Sequence, residues 1–95
     1  MVLSYEKNLI IKACIVIPMY NEQASAEKCV KAINSSIETL ESLDALIVVN
    51  DGSTDATDIV LKKLLTDYKK LTILNHNNNL GYGSALRTGT AWAIN

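Results

Sequence analysis

Asp51 and Asp55 flank Gly52, Ser53 and Thr54 in the stretch IVVNDGSTDAT, residues 47–57, directly behind an apolar run. A carboxylate at such a place accepts N–H groups, either from neighbouring backbone or from the edge of a bound base. The first reading is an Asx turn ahead of Gly52. The second is a pocket that reads a ligand. Two other segments share this character: PMYNE, 18–22, and NHNNNLGYG, 75–83, each following an apolar run of its own. Every strand-to-helix connection needs turn residues, which accounts for each segment singly. Pro18, Tyr20 and Glu22 are not obligatory turn formers, and the set asks for more than turns.

The elements that would position these residues follow from hydrophobic patterning. Residues 10–17 (IIKACIVI), 45–49 (ALIVV) and 71–74 (LTIL) are β-branched and nearly continuous in apolar character. Runs of that length suit strands covered on both faces, as in a parallel sheet. Between them, Val30, Ile33, Ile37 and Leu40 recur at helical spacing, with Lys31, Glu38 and Glu41 on other faces. Ile59, Val60, Leu61, Leu64, Leu65 and Tyr68 repeat the pattern, and Ser53, Thr54 and Asp55 offer N-cap chemistry ahead of them. A third helix is expected from Gly83 or Ser84 through Trp92.

The expected fold class is therefore α/β, a Rossmann-like βαβαβα unit with a parallel sheet. Strand ends about 30 residues apart match the size of a βαβ unit. Right-handed crossovers and a 3-2-1 strand order put the first two helices on one face, leaving the third to cover the other. One face is then better covered than the other, and the edge beside the first apolar strand stands open for a strand from further chain. Ligands of such sheets bind beyond the carboxyl ends of the strands, where all three polar segments lie.

Composition sets outer limits. The 95 residues make one domain or part of one, and 48% hydrophobic content with 20% charge fits a packed core. A net charge of −1 without a basic stripe excludes a nucleic-acid surface. The apolar runs are too short to span a membrane. MVLSYEKNLI lacks the charged start and apolar core of a signal peptide. Cys14 and Cys29 belong to no metal or disulfide pattern and read as reduced core thiols, so a cytoplasmic location is expected. Membrane association is left to any further part of the protein.

Familiar phosphate motifs are absent. PMYNE has no glycine where a dinucleotide fold needs GxGxxG, and no Gly-Lys pair exists for a Walker A loop. A receiver domain would place a phospho-acceptor Asp after the third strand, where Asn75 and His76 stand. His76 is given no catalytic role.

Taken together, VIPMYNE, IVVNDGSTDAT and NNNLGYGSALRTG resemble the start of family 2 glycosyltransferases of the GT-A fold. The likeness is greatest to the polyprenyl-phosphate sugar transferases, such as dolichyl-phosphate mannose synthases, and covers residues 12–92. It implies that 1–95 is the N-terminal nucleotide-sugar-binding part, the first half, of a GT-A domain. It also implies transfer of a sugar from a UDP- or GDP-sugar to an acceptor such as a polyprenyl phosphate. A divalent metal, Mg²⁺ or Mn²⁺, would neutralise the leaving diphosphate. The metal motif and the acceptor-activating base would both lie beyond Asn95, so no catalytic or metal-binding residue is expected within this chain, and the chain alone is expected to be inactive.

The implied nucleotide contacts are Pro18, Tyr20, Glu22, Asp51, Gly81 and Arg87. Tyr20 offers an aromatic face for a base, or packs at the sheet rim. Pro18 fixes an extended exit from the strand and leaves its carbonyl to accept. Asp51 can accept N–H from uracil or guanine but faces an acceptor in cytosine. Glu22 bonds ribose or a loop amide, or serves as a first-turn acid. Gly81 takes a positive φ or lets backbone approach the ligand. Arg87 reaches a diphosphate or lies solvated on its helix. The family often has Asp where Asn50 stands; strand neighbours point to opposite sides, so Asp51 keeps the implied base contact. The other reading is a non-catalytic nucleotide-binding or self-associating module, a homo-oligomer formed through the uncovered face or edge.

Overall fold

A computed structural model describes residues 1–7, 10–37 and 43–94. Its elements run β1 (Val2–Lys7), β2 (Ile10–Met19), α1 (Ala26–Ile37), β3 (Leu43–Asp51), α2 (Thr57–Leu64), β4 (Leu71–His76) and α3 (Tyr82–Ile94). Glu38, Leu40 and Glu41 of the first helical period lie outside the described residues, as does Asn95.

The four strands form one sheet in the order β1-β2-β3-β4. The apolar runs become β2, β3 and β4, and these pair in parallel. The open edge expected beside the first apolar strand is not open. β1 lies there antiparallel to β2, with Val2 opposite Ile15 and Lys7 opposite Ile10. Only a short connection separates the two strands, and antiparallel pairing is what a short connection permits. The sheet is thus βαβαβα preceded by one antiparallel strand.

Side-chain alternation divides the sheet between two cores. Ile15, Ile17 and Met19 of β2, with Leu46 and Val48 of β3, meet Ala26 and Val30 of α1 and Leu61 and Leu64 of α2. Cys14 and Val16, with Ala45, Ile47 and Val49, face the opposite way onto Ala85 of α3. Helices α1 and α2 therefore share one face and α3 covers the other, as right-handed crossovers require. Val16, Ile47, Val48 and Val49 are wholly buried. Each such side chain contributes about 1.5–3 kcal/mol relative to exposure. Helix α3 lies close to the sheet at Gly89, where a Cβ would overlap Val16 Cγ1.

Both faces carry helices, and β1 pairs with the edge of β2, so the uncovered face and the open edge expected beside the first apolar strand are both filled. Cys14 is buried and Cys29 half-buried, and neither forms a disulfide.

Candidate nucleotide pocket

The carboxyl ends of β2, β3 and β4 lie side by side, with Met19 opposite Asn50 and Asp51 opposite His76. The connections leaving these ends build the site.

The first two connections clamp each other. Asn21, at φ +52°, is the one non-glycine residue with positive φ among those described. Asn and Asp tolerate this conformation better than most residues. It aims the Asn21 carbonyl at the start of α2, where Oδ1 accepts from the amides of Thr54 (2.8 Å) and Asp55 (3.3 Å). Gln23 Oε1 accepts from the Ala56 amide at 2.9 Å. In return, the Asn21 amide donates to Ser53 Oγ (3.0 Å), the Glu22 amide to Thr57 Oγ1 (2.8 Å) and the Gln23 amide to Asp55 Oδ2 (3.3 Å). None of the expected cap residues holds the N-cap position, which falls on Ala56 and makes no side-chain cap bond; Asp55, one residue earlier, accepts through Oδ1 from the Thr57 amide at 2.9 Å. The amides of Thr54, Asp55 and Ala56, just ahead of α2, are thus satisfied by side chains of the preceding connection.

The second and third connections meet at Asp51, which is 3% exposed. Its Oδ1 lies 2.7 Å from His76 Nδ1 and accepts from the Leu80 amide at 2.9 Å. Its Oδ2 accepts from the Gly81 amide at 2.9 Å. The side chain thus crosses to the β4–α3 connection and does not close an Asx turn on its own strand. Burial pushes the carboxyl up, but the His76 ring N–H and the amides of Leu80 and Gly81 outweigh it and hold the group below the ordinary aspartate range. Gly52, at φ +69°, lets the same connection pass close by: a Cβ there would overlap the backbone of Asn78 and Asn79. Beyond His76 the network reaches α3, because Nε2 lies 2.7 Å from Thr88 Oγ1.

Asn50, the neighbour of Asp51, points to the other face and donates through Nδ2 to Asn75 Oδ1 at 3.1 Å. Its own Oδ1 is buried without a partner among the described residues.

A concavity of about 250 Å³ opens at this rim, lined by Pro18, Met19, Tyr20, Glu22, Asp51, Asn79, Gly81 and Tyr82. Five of the six residues singled out from sequence meet there. Arg87 does not. Its guanidinium donates to Ser84 Oγ at 2.9 Å, and the residue borders a separate apolar groove with Met1, Leu86 and Ala91. One turn of helix carries it away from the pocket. Tyr20 is 42% exposed, so its ring is available at the mouth. Glu22 Oε2 accepts from Ser25 Oγ at 2.7 Å, which fixes that carboxylate at the entry to α1.

Sequence reading missed His76, which is the last residue of β4 and not part of a turn. The signal was present: if the ends of the second and third apolar runs are aligned in parallel, His76 falls beside Asp51. Asn21 was missed too, since nothing local distinguishes a clamp from a turn residue. Among the described residues, no three His, Cys, Asp or Glu side chains converge as metal ligands.

The profile of glycosyl transferase family 2 matches residues 14–95. The chain is similar to glycosyltransferase AglE of Haloferax volcanii, 33% identical over 75 residues, covering 79% of this chain and 24% of that protein. It is similar as well to dolichyl-phosphate beta-glucosyltransferase ALG5A of Trichomonas vaginalis, 30% identical over 80 residues, covering 79% and 25%. Among solved structures it shares the fold of mannosyltransferase PcManGT from Pyrobaculum calidifontis, in complex with GDP-Man and Mn²⁺. The TM-score is 0.74 at 23% identity, over 83% of this chain and 23% of that one. The chain thus spans about a quarter of the length of the relatives it matches.

Proposed function

The chain belongs to glycosyltransferase family 2, and from that premise we propose that residues 1–95 are the N-terminal nucleotide-sugar-binding part of a GT-A domain. The whole protein would transfer a sugar from a nucleotide-diphosphate donor to an acceptor. A polyprenyl phosphate is the acceptor suggested by likeness to the Trichomonas dolichyl-phosphate glucosyltransferase.

The observation that carries this reading is the convergence of Pro18, Tyr20, Glu22, Asp51 and Gly81 on one concavity at the carboxyl ends of parallel strands. In this proposal the Tyr20 ring stacks on the base, a contact worth about 1–3 kcal/mol where measured on single strands. Asp51 accepts an N–H from the base edge. The Gly81 backbone approaches the nucleoside closely, Pro18 shapes the wall beside it, and Glu22 faces the ribose. Arg87 lies outside the pocket and takes no part in donor binding here.

A divalent ion is part of the proposal for the whole protein, by likeness to the Mn²⁺-bound Pyrobaculum enzyme. The described residues of this chain form no set that fits one, so no step is assigned to a metal here. No helix among the described residues is long and apolar enough to cross a membrane.

The test is an NMR titration of the protein with UDP, GDP and CDP in the presence of Mg²⁺ or Mn²⁺. Resonances of Tyr20, Asp51 and Gly81 should move with a nucleotide, and those of Tyr20 and Gly81 should stay still in Asp51→Ala. Binding that survives both Asp51→Ala and Tyr20→Ala would refute the pocket. Sugar transfer by the 95 residues alone would refute the division of labour.

A further inference from the structure

We propose that His76 is a positioning residue that sets the base preference of this pocket, leaving Asp51 one open acceptor and so selecting uracil over guanine. The inference rests on the donor-pocket reading above.

An ionised carboxylate has about four acceptor directions, two on each oxygen. Three are occupied in Asp51. Oδ1 faces the His76 ring at 2.7 Å and the Leu80 amide at 2.9 Å, and Oδ2 faces the Gly81 amide at 2.9 Å. The open direction is on Oδ2, in a residue that lines the pocket. Uracil presents a single N–H on its edge, between two carbonyls. Guanine presents N1–H and N2–H side by side and calls for both oxygens of a carboxylate. Cytosine presents an acceptor at the position where uracil has its N–H. One open acceptor satisfies uracil. It leaves a guanine donor desolvated against a filled oxygen, and it sets cytosine's lone pair against negative charge.

His76 is what fills Oδ1 from the side. Its side chain is 9% exposed and held at both ends. An ionised Asp51 can only accept, so the Nδ1 of His76 carries the proton. Nε2, at the far end of the ring, lies 2.7 Å from Thr88 Oγ1. The ring is fixed by α3 and the carboxylate by the ring. Without His76, Oδ1 regains an acceptor and the carboxylate is free to turn toward a two-donor base.

Calorimetric titration of the intact protein with UDP, GDP and CDP, with Mn²⁺ present, reads this directly. UDP should bind about tenfold or more tightly than either of the others. His76→Ala should narrow the UDP-to-GDP ratio several-fold. His76→Asn, whose amide N–H sits where Nδ1 was, should restore it, whereas His76→Gln, whose amide reaches toward Thr88, should not. A merely structural role would lower all affinities together and leave the ratio alone. Should His76→Ala fail to fold, the near-isosteric Thr88→Val removes the ring's anchor and should narrow the ratio in the same direction. GDP binding as tightly as UDP in the unaltered protein overturns the inference and leaves the donor pocket standing. An unchanged ratio in the foldable variants overturns the role of His76. Failure of all three nucleotides to bind overturns the donor-pocket reading, and this inference with it.

Discussion

Asp51 keeps its charge although almost no solvent reaches it. The N–H groups of His76, Leu80 and Gly81 replace the lost water and hold its carboxyl below the ordinary aspartate range. A depressed folded-state value means that the unfolded chain binds the proton more readily, so this group's stabilisation is present above the unfolded value, ~4. It is lost as pH falls through the folded value. Stability measured by urea unfolding should therefore decline on acidification below about pH 4, and Asp51→Asn should flatten that decline. At pH 7 the same variant should lose about 1–3 kcal/mol, because its NH₂ group would confront a donor. Asp51 stood out in sequence by its place behind an apolar run and before Gly52, where an Asx turn and a ligand contact were both open. What it bonds to was not legible, because its partners lie 25–30 residues away. Sequence supplied His76 and Gly81 as letters; only the register of β3 against β4 makes them neighbours.

The elements were legible where the pattern was long. Three apolar runs became three parallel strands, and the helical periods became α1, α2 and α3. The antiparallel strand β1 was not foreseen: VLSYEK mixes polar and apolar residues, and its pairing comes from the neighbouring strand. Helix packing has one exacting point. At Gly89 an added methyl would overlap Val16 Cγ1 and crowd Val49. Gly89→Ala gains about 1 kcal/mol of helix propensity and loses about 1–3 kcal/mol to overpacking. The net should be a lower Tm, with α3 displaced from the sheet. Asn21 offers a second test at this scale, because it combines a cap with a left-handed backbone. Asn21→Gly removes only the cap, while Asn21→Ala also imposes strain, so Ala should unfold at lower urea than Gly.

At the scale of the whole molecule, the sheet and its two helical layers bring one concavity to a single rim, which the proposal above assigns to one end of a donor. The acceptor side and the metal belong to the proposal for the larger protein. Adding the 95 residues to a nucleotide-sugar and an acceptor should give no product, a null result that a radiolabel-transfer assay would check. The reciprocal clamp between the first two connections has a consequence for motion. The amides of Asn21, Glu22 and Gln23 end on side chains of 53–57, and those of Thr54, Asp55 and Ala56 end on Asn21 and Gln23. Neither segment can release its hydrogens to solvent while the other stays closed. Deuterium should therefore enter all six amides at a common rate, set by one opening event. Although 32–35 residues apart in the chain, these two stretches should breathe together as one cooperative unit.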